Sequence, residues 1–242
     1  MSIQADIRAK ALRNCIATIG EEGFFDAYFR LLHGIALVDQ CMIFRYGDGV
    51  VRCLLSRNFG SVVKGNSAAQ KYLSEGFRDD PLLAHIDQLK ENEAATLWGK
   101  ECREDMAPAY RKAFFNKVGL LDKTAVLLRQ GGDAYCVNFY RKTGCITFDM
   151  PGEPDKHFWT ILAQICLTHL RLTAVADGLG PLAILSEKER QICSGILQGR
   201  KTEQIAADCG IAHSTAITYR RRAYAKLGIS SRTALFVVCG KG

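Results

Sequence analysis

The chain has 242 residues, with 32 Lys or Arg against 25 Asp or Glu, for a formal charge of +7. With 48% apolar and 24% charged residues it does not have the composition of a disordered, collagen-like or membrane-embedded chain. Its ten cysteines form no CxxC pair and no metal-ligand spacing, and many lie in apolar runs, which points to reduced thiols, no metal and a cytoplasmic setting.

Taken in chain order, residues 5–19 and 24–32 predict helices. Strands over 40–45 and 50–56 flank Tyr46-Gly47-Asp48-Gly49, a strong hairpin signal. Helices follow over 68–76, 81–90 and 107–118. Three strands are predicted over 124–129, 134–140 and 145–148, with Gly-Gly-Asp and Thr-Gly turns between them. A long helix then covers 155–176, and its row Leu162, Ile165, Leu167, Leu170 and Leu172 offers a dimer seam. Helices on both sides of an antiparallel sheet make an α/β/α sandwich of the PAS or GAF kind. Nothing resembles a secretory signal, and the apolar run 158–170 is too short to span a bilayer. Gly178-Leu179-Gly180-Pro181 reads as a linker, dividing a first domain (1–176) from a second (185–242) across 177–184.

The second domain reads as four helices. Ser186 before Glu187, Lys188 and Glu189 is an N-cap with acids in the first turn, and Gly199 ends that helix. Thr202 opens a short helix that ends near Gly210. His213, Ser214 and Thr215 start a third helix running to Gly228, and Ser231 caps a fourth. The tight turn between the second and third predicts a helix-turn-helix whose second member enters the major groove. From Pro181 to Gly242 there are ten Lys or Arg against four Asp or Glu, a net of +6, so nearly all the excess charge sits here. That asymmetry is the footprint of phosphate binding.

These residues carry a specific resemblance. Leu185-Ser186, Glu189-Arg190, Gly199, Glu203 with Ile205-Ala206, Gly210-Ile211, Thr215, Lys226-Leu227-Gly228-Ile229 and Ser231-Arg232 are similar to the DNA-binding domain of the LuxR family of bacterial transcription regulators. Ala216 stands where that family usually has Val, and Ile217 where a basic residue is frequent, so its base preferences do not transfer. The whole chain is thus expected to be α+β: the sandwich followed by an all-α four-helix domain.

The chemistry of the side chains together with that resemblance implies a set of contacts to double-stranded DNA. Lys201 and Thr202 lie at a helix N-terminus suited to a phosphate. Ser214, Thr215, Thr218 and Tyr219 approach the groove. Arg221 can bind guanine O6 and N7 together, whereas Arg220, Arg222 and Lys226 pair with phosphates. Family members bind as homodimers, and many carry a first domain that binds acyl-homoserine lactones. The family pattern there includes Trp and Tyr on a helix, an Asp-Pro pair and a later Trp. Tyr72, Phe77, Asp80-Pro81 and Trp98 follow that order, with Tyr in place of the first Trp and Phe lacking the expected hydroxyl. Asp80-Pro81 reads equally well as an N-cap followed by proline at the first helical position.

No cofactor is implied. His33, His85, His157, His169 and His213 are dispersed, and no phosphate loop, nucleophile elbow or receiver-type acidic pair is present, which argues against an enzyme and against phosphorelay control. Three readings of the first domain stay open: a receptor for a small, mostly apolar molecule, a ligand-independent dimerisation or interaction module, and a cysteine-based redox sensor.

Overall fold

The computed structural model describes residues 3–47, 50–59, 72, 77–116, 119–142, 144–173, 180–227 and 229–239. Alternating apolar residues build five strands: β1 (Gln40–Gly47), β2 (Val50–Asn58), β3 (Ala94–Leu97), β4 (Leu120–Gln130) and β5 (Asp133–Lys142). They form one antiparallel sheet in the order β2-β1-β5-β4-β3. Because side chains alternate along a strand, each face presents its own apolar set. Ile43, Val126, Val137 and Phe139 pack beneath α1 (Ile3–Ala17), α2 (Phe24–Arg30) and α6 (Lys156–Leu172). Met42, Phe44, Leu127 and Cys136 pack against α3 (Leu82–Gln88), α4 (Gly99–Glu104) and α5 (Pro108–Phe114). The α/β/α sandwich is as expected.

Two local expectations fail for a common reason. Residues 145–148 are not a strand. Their backbone is held by side chains instead: Arg141 Nη1 donates to the carbonyls of Ile146 and Thr147 at 3.3 and 3.1 Å, and the Phe148 N–H donates to Asp122 at 2.8 Å. With those groups satisfied, no ladder is needed. The fifth strand is β3, whose short Ala-Ala-Thr-Leu run carries almost no signal of its own and is templated by β4. The predicted helix at 107–118 is the shorter α5, with α4 ahead of it. The hairpin residues Asp48 and Gly49, and all of the helix expected at 68–76 except Tyr72, lie outside the described residues.

Helix α6 begins at an N-cap, Asp155, whose carboxylate accepts the Phe158 N–H at 3.0 Å. Of the row expected to form a dimer seam, Leu162, Ile165, Leu167 and Leu170 are buried in the chain's own core, and only Leu172 stands exposed.

The C-terminal unit holds α7 (Glu187–Leu197), α8 (Thr202–Asp208), α9 (His213–Leu227) and α10 (Arg232–Val238). It joins the sheet through a 3-10 turn (Gly180–Ile184) that packs on the edge strand β2, so Leu182, Ile184, Ile192 and Leu235 continue the same apolar core as Trp159 and Leu162. Covering β2 removes an open sheet edge. Within the unit, Gly195 lets α7 and α8 touch. A Cβ there would sit 2.7 Å from Ile205 Cγ1 and 2.8 Å from Cδ1. Gly195→Ala should therefore lower stability by about 1–2 kcal/mol, although alanine in a helix is ordinarily worth up to ~1 kcal/mol over glycine. Urea unfolding of the two proteins checks this, and a more stable alanine variant would contradict the close packing.

Candidate functional site

The C-terminal helices are set by their ends. The Ser186 N–H donates to Glu189 at 2.9 Å, closing a capping box on α7. The Lys201 N–H donates to Gln204 Oε1 at 3.1 Å at the start of α8, and the Ala234 N–H donates to Ser231 Oγ at 3.1 Å at the start of α10. Between α8 and α9 the chain reverses at Gly210, whose φ of +64° is left-handed and suits glycine. Ala216, Ala223 and Leu227 hold the inner face of α9 against Ile192, Ile205 and Leu235.

The outer face of α9 is what remains. Ser214, Thr215, Thr218, Arg221 and Arg222 are exposed, at spacings of three, four and seven that place them along one side of the helix. Lys201 is exposed nearby. Other expected contact residues are partly engaged within the protein. Tyr219 is half-buried against the core, and Arg220 Nη1 donates to Thr202 Oγ1 at 3.3 Å. Lys226 pairs at 2.8 Å with the buried carboxylate of Glu189. At the end of the same helix, Arg57 Nη1 on β2 donates to the carbonyls of Ala225 and Lys226, each at 2.8 Å. The Arg57 guanidinium lies 5.2 and 5.6 Å from the rings of Phe29 and Phe59.

A cleft of about 530 Å³ lies between the units, with Glu21, Glu22 and Asp26 on one side and Glu187, Arg190 and Lys226 on the other. His169 lines it. Its Nδ1 accepts the Gly20 N–H at 3.0 Å and its ring stacks on Phe24 at 4.1 Å, so burial lowers its pKa to about 4 and the imidazole is neutral.

On the other face of the sheet, Tyr46 donates to Tyr72 at 2.7 Å and Tyr72 donates to Asp80 at 2.8 Å. The second Asp80 oxygen accepts the Leu82 N–H at 3.0 Å, the capping role open to an Asp-Pro pair. Burial, then neighbouring groups that include the Asp80 carboxylate, pushes the Tyr46 and Tyr72 hydroxyls well above their usual range, so they remain protonated donors. Tyr72, Tyr110, Phe44 and Lys123 border a cavity of about 20 Å³, room for one water. The structure thus brings Tyr72 and Asp80 together but not Trp98. The Trp98 ring faces the Lys156 ammonium at 5.6 Å. Phe77 opens a 3-10 turn (Phe77–Asp79), and its side chain lies outside the described residues.

The family model for bacterial regulatory proteins of the luxR family (GerE) matches residues 183–239. This segment is a LuxR-family helix-turn-helix domain. A relative from Aeromonas salmonicida, named as an HTH-type transcriptional regulator in the exeN 3′ region, is 44% identical over 52 residues. That match covers 22% of this chain and 26% of the relative's own length. The fold of the whole chain is similar to that of SdiA solved in complex with octanoyl-rac-glycerol, at TM-score 0.50 and 11% identity, covering 100% of this chain and 97% of that one. A crystal structure of Escherichia coli SdiA gives TM-score 0.49 at 13% identity, covering 98% of each chain. At such identities the likeness concerns fold alone.

Two residues around the LuxR-family domain and the pocket were not singled out from sequence. Arg57 carries no local signal, because its partners lie 168 and 169 residues away. Lys123 does: it shares strand parity with Ala125 and Leu127 and so points to the same buried face, but the strand read from sequence began one residue too late to include it. Among the described residues no group of His, Cys, Asp or Glu could hold a metal, and no helix is long and apolar enough to cross a membrane.

Proposed function

We propose that the chain is a transcription regulator in which residues 185–242 bind double-stranded DNA. Residues 1–176 control that binding, and 177–184 connect the two. The observation that carries this reading is the division of α9: its inner face is locked into the LuxR-family domain while Ser214, Thr215, Thr218, Arg221 and Arg222 stand free of that core. Lys201, Thr202, Tyr219, Arg220 and Lys226 complete the contact surface, with Lys226 exchanging Glu189 for a phosphate. The working form is a cytoplasmic homodimer, since two linked half-site contacts multiply through effective concentration. The first domain senses a small, mostly apolar molecule in the pocket bordered by Tyr72, whose hydroxyl is held by Asp80 behind it. Trp98 acts outside it. The molecule acts by binding one arrangement of the two domains better than the other.

A second reading has an observation in its favour: a cavity with room for one water fits a ligand-independent interaction module. The redox reading draws less support, because burial pushes thiols such as Cys53, Cys136 and Cys193 up to about 12, away from reactive thiolate. Selection of duplexes from a randomised pool by the full-length protein tests the first reading. Enrichment of a palindromic sequence with half-sites about one helical turn apart is expected. Recovery of unenriched DNA overturns it.

A further inference from the structure

Three polar residues form a row across the centre of the sheet. Gln40 on β1 is registered opposite Tyr140 on β5, and Tyr140 is registered opposite Lys123 on β4. Directly opposed residues in antiparallel strands hold their Cβ atoms about 5 Å apart, so the three side chains emerge side by side on one face. Each is buried, at 3% exposure for Gln40, 9% for Tyr140 and 2% for Lys123. All three border the small cavity. Among the described residues, no hydrogen bond or ion pair ends on the Gln40 amide, the Tyr140 hydroxyl or the Lys123 ammonium.

A buried ammonium is costly unless a neighbouring opposite charge compensates it. The acid on the same side of the sheet is Asp80, and both of its oxygens are already committed, to Tyr72 and to the Leu82 N–H. Burial works against the charge on Lys123, yet the attraction of Asp80 and neighbouring groups outweighs it and raises the pKa, so the lysine stays cationic. The rest of the wall is mostly aromatic, with Phe44, Tyr72, Tyr110, Phe114 and Phe115, completed by Met42 and Leu120. A cation and two neutral hydrogen-bonding groups therefore converge at the floor of an otherwise apolar pocket.

We propose that this cavity takes a small organic acid, whose carboxylate accepts hydrogen bonds from Lys123 Nζ and Tyr140 Oη while the aromatic wall encloses its apolar body. The assignment rests on the small-molecule reading above and gives it a ligand class. It also gives that reading a mechanism. The space of about 20 Å³ holds one water, so an acid enters only as the wall moves outward, and the ligand has differential affinity for the opened arrangement.

The test is calorimetric titration of the full-length protein at neutral pH with butyrate, benzoate and octanoate, each beside its neutral amide. At least one carboxylate should bind about tenfold or more tighter than its amide, and Lys123→Met should erase that preference. Tyr140→Phe should reduce it severalfold and decides the matter if Lys123→Met does not fold. Amides that bind as tightly as acids, or a preference that survives Lys123→Met, overturn the acid assignment and leave the small-molecule reading standing. Binding by none of the probes overturns both.

Discussion

Arg221→Ala should cut discrimination between the selected duplex and random DNA by about 1–3 kcal/mol, or roughly 5- to 150-fold at 25 °C. The guanidinium is exposed on the outer side of α9, three residues after Thr218 and seven after Ser214, and no ion pair or hydrogen bond holds it among the described residues. It is therefore free to meet a guanine edge with two parallel bonds. Arg222→Ala should act differently, weakening selected and random duplexes alike and reducing the salt slope of binding by about one. Fluorescence anisotropy across a salt series separates the two. Equal loss of specificity in both variants would show that the division between base-reading and phosphate-binding arginines is wrong.

A loss of stability of comparable size is expected far from the DNA. Arg141 is only 1% exposed, and its Nη2 donates to the Ala36 carbonyl at 2.9 Å and to Glu153 at 2.6 Å. Its Nη1 holds the carbonyls of Ile146 and Thr147, and the guanidinium lies 4.2 Å from the Phe148 ring. Arg141→Ala removes every one of these and leaves Glu153 buried without its cation, so unfolding free energy should fall by about 3–5 kcal/mol. Glu153→Gln keeps an acceptor for the guanidinium and should cost less. Urea midpoints at unchanged m-value measure both, and a fall below about 1 kcal/mol for Arg141→Ala would mean that the 144–153 segment is held by its apolar contacts alone.

The same residues explain how far the sequence could be read. The C-terminal domain was legible because its signals are local: Ser186 with Glu189, the left-handed Gly210 and the Ser231 cap each act within four residues. The β4–β5 hairpin was legible from Gly131-Gly132. What escaped depends on partners distant in sequence. Residues 145–148 have strand-like composition, but Arg141 and Asp122 take their hydrogen bonds. Strand β3 has weak composition, but β4 supplies its ladder. Of the site residues, Tyr72 and Asp80 meet where aromatic and acid were expected, Trp98 is turned toward Lys156, and the Gln40–Tyr140–Lys123 row needed the strand register before it could be seen.

Arg57 gives the two domains a threshold. The last carbonyls of the helix that presents Arg221 are bonded by a charged group rooted in the sheet of the other domain, so α9 cannot swing away from β2 without losing both bonds together. Hydrogen bonds to charged groups are each worth about 1.5–3 kcal/mol. An effector that frees the helix must therefore prefer the released arrangement by the worth of both bonds, about 3 kcal/mol or more, which is on the order of a hundredfold in affinity. A molecule that binds both arrangements equally, however tightly, leaves the helix where it is.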